Sequence, residues 1–212
     1  MRPAVGALLV ISGFAFASAL ATPAEAATGG GGGGPFNQDA FKAAIAIHES
    51  GNNYGSVNSI GYIGKYQFGA AALTDLGYIK LSVYQQYPAN NKNACLRDPN
   101  AWIAPYTREG WLADHAEQEK AMDALIKAHR RSLTADGIIT SRSTAAEQGA
   151  WLAVAHGLGA GAANTYFRRG ETKPDGYGTT AAQIYRIGAY SQRHPYQVTM
   201  ENRNDIRDGR IV

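Results

Sequence analysis

The segment Ala46-Ile47-His48-Glu49-Ser50-Gly51, with Asn58-Ser59-Ile60-Gly61-Tyr62-Ile63-Gly64-Lys65-Tyr66-Gln67-Phe68-Gly69 close behind it, decides how this chain is read. Its first six residues close a run in which Phe41, Ala44, Ile45 and His48 repeat at helical spacing. Asn37 is placed to cap that helix, and Phe36 and Phe41 stand at the N′ and N4 positions of a hydrophobic staple. Gly51 is a natural residue just past a helix end, so Glu49 falls in the last turn. There it faces the negative end of the helix dipole, which disfavours its charge by about 0.3–1 kcal/mol. A carboxyl group so placed, with one apolar and one open side, is expected to keep its proton to higher pH, as a general acid must. Residues 52–65 read as a loop or short hairpin rich in Gly, Asn and Ser. Residues 66–76 read as a second helix, with Phe68, Ala71, Ala72 and Leu76 on its buried side.

Outward from that segment the chain reads as helix after helix. Residues 81–106 are mixed, with Asp98-Pro99 as a helix-start signal. The longest helix is expected over 111–133, on the periodicity of Leu112, Ala116, Met122, Leu125 and Ile126. Thr144-Ala145-Ala146-Glu147 and Thr180-Ala181-Ala182-Gln183 are capping boxes that open two more. Between them Gly159-Ala160-Gly161 forms an elbow into a short helix ending at Gly170. The fold class expected is mainly α: one helical domain over 36–191 with a cleft, and a possible short hairpin between its first two helices. Residues 192–212 are polar and are expected to form a loose tail.

Composition narrows the class of function. The chain has 212 residues, 45% of them hydrophobic, enough for one domain with a true core. A net charge of +3 with no Lys/Arg block argues against a nucleic-acid partner. Residues 1–27 read as a secretory signal: Arg2, a short apolar run from Val5 to Phe16, and the small-x-small site Ala24-Glu25-Ala26. That run is shorter than the ~20 residues of a membrane span. Residues 28–35, with six consecutive glycines, form a linker, so export through the Sec route to the periplasm or the medium is expected. Cys95 is the single cysteine and excludes an internal disulfide. No metal or cofactor is expected. His48 and Glu49 have no third ligand one turn away, His115 and His129 are too far apart, and Asp175-Gly176-Tyr177-Gly178 falls short of a calcium loop.

The spacing Glu49-Ser50-Gly51, Gly61-Tyr62-Ile63-Gly64 and Lys65-Tyr66-Gln67 resembles the lysozyme-like lytic transglycosylases. Their motif runs Glu-Ser-Gly, Gly-x-x-Gly and a Gln closing a Leu-Met-Gln triplet. A second match, Ala155-His156-Gly157-Leu158-Gly159-Ala160-Gly161, is similar to the family's Ala-Tyr-Asn-Ala-Gly-x-Gly, with His156 and Gly157 replacing Tyr and Asn. The resemblance implies cleavage of the bond between N-acetylmuramic acid and N-acetylglucosamine in peptidoglycan, with Glu49 as sole acid and base and a 1,6-anhydro product. It also implies a substrate-binding set of Ser50, Asn58, Tyr62, Tyr66, Gln67, His156, Gly159 and Tyr185. Tyr66 could lie against a sugar ring or belong to the core. Tyr177, Tyr185 and Tyr190 compete for the place of a tyrosine that hydrogen-bonds the glutamate, and Tyr185 is preferred.

Hydrolysis of the same bond requires a second carboxylate. Phage-type lysozymes carry an Asp nine residues after the glutamate and a Thr six further on, and those positions here are Asn58 and Gly64. Asp75 and Asp98 follow, with Asp75 read as an exposed helix residue. The alternatives to a transglycosylase are therefore a muramidase using a carboxylate distant in sequence, or a wall-binding module without turnover. The partner expected is the murein glycan strand, met by a monomer; the resemblance leaves open a secretion, conjugation or phage machine, or an inhibitor protein.

Overall fold

Helix α1 (Gln38–Ser50) opens the computed structural model, which describes residues 34–208; the expected signal and most of the glycine linker lie outside it, as do residues 209–212. Asn37 caps the helix through a bond from Ala40 N, Phe36 and Phe41 pack with ring centroids 5.6 Å apart, and Gly51 ends it in the left-handed conformation. Phe41 is fully buried, and a side chain of that kind contributes about 2–3 kcal/mol relative to exposure.

The loop after α1 is a shrunken hairpin. Val57 bridges Ile63 and Ile63 bridges Phe68, both antiparallel, but no strand forms among the described residues. Here the expected second helix is corrected. Residues 66–69 belong to the turn, Gln67 has φ +49°, and α2 is only Ala70–Asp75. Backbone bonds between Ile63 and Phe68 (3.1 and 2.8 Å) hold the chain in that turn, and a helix starting at Tyr66 would break them. Ala70 and Leu73, not Ala71, face the core.

Helix α3 (Leu81–Tyr84) and two 3-10 segments, Ala89–Arg97 and Pro99–Ala101, lead to α4 (Arg108–Ala113) and α5 (His115–Ala135). The single helix expected over 111–133 is thus two. Asp114 sits between them with extended backbone, and its side chain accepts from Glu117 N to cap α5. Ala116 is consequently exposed, while Ala121, Met122, Leu125 and Ile126 face the core.

Helix α6 (Ala145–Leu158) is buried along most of its length. Around it lie α5, α7 (Ala160–Arg169) and α8 (Ala181–Arg193), with both predicted capping boxes formed. The small residues of α6 let α8 approach at backbone distance: a Cβ on Gly188 would stand 2.1 Å from the Gly149 carbonyl oxygen. Helix α1 packs against α8 as well.

The loose tail expected from Gln192 is also corrected. Gln192 is buried; its carboxamide accepts from Asn37 N at 2.7 Å and donates to Asn37 O at 2.9 Å, tying α8 to the start of α1. Two 3-10 turns then lead to α9 (Arg203–Asp208), whose Ile206 is fully buried among Ala44, Ile47, Ile187 and Tyr190. Polar residues dominate this segment, but one apolar side chain seats it. No described helix is long and apolar enough to cross a membrane.

Candidate active site

Glu49 occupies the last turn of α1 with 22% of its side chain exposed. Its one close polar neighbour among the described residues is His156 Nε2, 3.7 Å from Oε1. Burial pushes the carboxyl pKa up to about 8, and the negative charge of Asp175 pushes in the same direction. His156 is held at about 4, chiefly by its own burial and further by His129. Both groups are therefore neutral at pH 7, and their contact is not an ion pair. His156 Nε2 lies 2.9 Å from the Tyr66 carbonyl oxygen, which can only accept, so Nε2 carries the ring proton and Nδ1 is left as an acceptor.

The turn facing Glu49 is clamped by side chains from α1 and α5. Ser50 Oγ donates to Lys65 O at 2.7 Å and accepts from Asn53 N. Gln118 is fully buried; it accepts from Lys65 N and donates to the carbonyls of Tyr54, Trp111 and Leu112. Gly64, with φ +81°, passes so close that a Cβ would stand 2.5 Å from Gln118 Oε1. Next to Gln118, Glu119 receives the Tyr54 and Tyr66 hydroxyls and the ammoniums of Lys65 and Lys42, all at 2.7–2.8 Å. Burial alone would raise the Glu119 pKa, but the bonds from Lys42, Lys65, Tyr54 and Tyr66 outweigh it and hold it at about 2.

A groove of about 1220 Å³ runs beside this site. Of the residues singled out from sequence, Tyr62, Gln67, His156 and Gly159 line it. Glu49 is not on the lining itself; His156, which touches it, is. Gln67 is 5% exposed, its amide nitrogen donates to Gly64 O at 2.8 Å, and its Oε1 has no partner. His156 Nδ1 is likewise buried and unpartnered. Both acceptor atoms are thus closed off from the groove surface, although their residues line it.

Other predicted residues are placed differently. Tyr66 is fully buried with its hydroxyl spent on Glu119, so its ring has no surface to offer a sugar. The Ser50 hydroxyl holds the turn. Asn58 Oδ1 accepts from Ile60 N and Tyr62 N, as a turn residue does, leaving only its amide nitrogen. Tyr185 stands edge-on to Trp151 with centroids 5.0 Å apart, its pKa is raised by burial and by Glu147, and it makes no hydrogen bond to Glu49. Of the three competing tyrosines it is Tyr177 that reaches the loop beyond Glu49, with its hydroxyl 2.9 Å from Ser59 Oγ.

Sequence reading missed Asp175, Gln118 and Glu119. Asp175 lies in the loop before α8, and its Oδ1 accepts from Tyr177 N and Thr179 N at 2.8 and 2.7 Å. The Asp-Gly turn was legible; its approach to Glu49 across 126 positions of chain was not. Gln118, in helical register with the apolar Ala121, Met122 and Leu125, was the available signal for the clamp. No group of three metal-binding side chains occurs among the described residues. Comparison of the chain with known protein families, with curated proteins and with solved structures finds no match.

Proposed function

We propose that this chain is an exported peptidoglycan lytic transglycosylase, with Glu49 as its single general acid and base on a lysozyme-like helical scaffold. The observation that carries the reading is the state of Glu49: burial lifts its pKa to about 8, and among the described residues no cation stands by to ionise it. A structural glutamate gains nothing from that environment, whereas an acid needs it.

The chemistry follows from one proton. Glu49 donates it to the oxygen bridging N-acetylmuramic acid and N-acetylglucosamine. The bond from that oxygen to C1 breaks, its electron pair leaves with the N-acetylglucosamine, and C1 becomes oxocarbenium-like. The carboxylate so formed is disfavoured by its burial and takes the proton of the C6 hydroxyl, whose oxygen closes on C1. Glu49 ends protonated, no water is consumed, and the product is a 1,6-anhydromuramic end.

One observation favours a second reading, hydrolysis. Asp175 is close enough for its charge to raise the Glu49 pKa, and both of its backbone bonds go to Oδ1, leaving Oδ2 for a water. Digesting purified murein with the full chain and weighing the fragments separates the two. A transglycosylase gives muropeptides one water lighter than a muramidase does, and a binding module gives none. Full cleavage by Glu49→Gln would overturn the assignment of the acid. The enzyme is proposed to act as a monomer at the wall, in the periplasm or outside the cell.

A further inference from the structure

The groove is electrically lopsided. Arg97, Lys127 and Arg131 line it, and among the described residues Asp75 is the one carboxylate on the lining. All three cations are exposed, and among the described residues none has an ion pair or hydrogen bond. Lys92, also on the lining, is different: it donates to the carbonyls of Tyr84 and Gln85 and lies over the Tyr84 ring. Lys127 and Arg131 are one turn apart on α5, where like charges repel. The negative end of α5 accounts for a cation near its last turn, but not for Arg97, which lines the same groove from the 3-10 segment Ala89–Arg97.

We infer that this basic wall recognises the carboxylates of the stem peptides that hang from muramic acid, so that the groove selects peptide-bearing over bare glycan. The inference rests on the proposed murein substrate. Two guanidiniums and an ammonium, from two elements, match carboxylates spread along a short flexible peptide, since each guanidinium can grip one in a two-point fork. His156, at the same groove, touches Glu49, so a strand with its sugars at the acid has this wall within the groove for its peptide. Three cations are too few to hold a nucleic acid strongly at physiological salt.

The test uses the full chain carrying Glu49→Gln, so that ligand persists, with two probes: a murein disaccharide bearing its stem peptide, and the same disaccharide with the peptide removed. Titration calorimetry is expected to show the peptide-bearing probe bound about tenfold tighter, as three exposed charge pairs of ordinary size provide. That ratio is expected to shrink towards one in the triple variant R97Q/K127Q/R131Q and to fall with added salt. Thermal melting of the variant checks that it folds. Equal binding of the two probes, or a preference surviving in the triple variant, overturns the inference while leaving cleavage of murein by the unmodified chain intact. If that chain cleaves neither bare nor peptide-bearing glycan, it is the murein reading that has failed. Binding of a short single-stranded DNA in place of both probes overturns the stem-peptide assignment as well.

Discussion

Glu49 and Glu119 are both partly buried carboxyl groups, with 22% and 30% of their side chains exposed, and they are driven in opposite directions. Burial pushes each pKa up. Among the described residues Glu49 meets a neutral histidine at 3.7 Å and the charge of Asp175, and its pKa rises to about 8. Glu119 meets two ammoniums and two tyrosine hydroxyls, and its pKa falls to about 2. Desolvation therefore sets the outcome only where donors are missing. The two sites are linked through one turn: the donors that saturate Glu119 include Lys65 and Tyr66, and the carbonyls of those same residues accept from Ser50 and His156 beside Glu49. One carboxyl group is ionised and saturated with donors, and the other keeps its proton at neutral pH.

That contrast can be broken at either end. The largest effect expected is on turnover: Glu49→Gln removes the transferable proton and lowers murein cleavage about a thousandfold, read by muropeptide release. Glu119→Ala removes the shared acceptor of two tyrosine hydroxyls and the Lys65 ammonium, while Lys42 keeps Asp123, and is expected to destabilise the fold by about 2–4 kcal/mol, allowing for its partial exposure; an unchanged urea midpoint at pH 7 would refute the hub. A depressed carboxyl pKa gives stability that is complete above the ordinary value of 4.5 and lost as pH falls towards about 2. Glu119→Gln should accordingly flatten the acid side of the stability profile.

At Glu49 the sign reverses. The folded state binds that proton more tightly than the unfolded chain does, so stability falls as pH rises from 4.5 to about 8. Glu49→Gln should then be the more stable protein at pH 8 and above, by about 2–3 kcal/mol, with the gap closing near pH 5 in paired melting curves. Cleavage by the unmodified chain is expected to hold through neutral pH and decline above about 8. The smallest effect is that of Asp175→Asn. Removing a negative neighbour lowers the Glu49 pKa, so the alkaline limb of the kcat/KM profile moves to lower pH. If Asp175 is instead the base of a hydrolase, the same variant loses turnover at every pH.

Much of the helical framework could be read directly from the chain, because its signals are local. Asn37, Gly51, the two capping boxes and Gly170 act within one turn of where they stand, and each behaves in the fold as its chemistry dictates. The turn at Tyr66 and Gln67 was misread because their apolar pattern suits a helix, while the bonds that forbid it run to Ile63 and Gln118. The tail was misread because one buried isoleucine, Ile206, outweighs many polar neighbours once α1 and α8 offer it a socket.

The site divides the same way. Glu49 at a helix end, followed by Ser-Gly and spaced glycines, is a pattern within twenty residues and needs no fold to be noticed. Whether that carboxyl is starved or saturated with donors depends on what the other helices bring: His156 from α6, Asp175 from the loop before α8, and Glu119 from α5 drawing Lys65 and Tyr66 to itself. Residue types and local geometry are written along the chain. A pKa is a sum over neighbours in space, and those neighbours are assembled only when the helices pack.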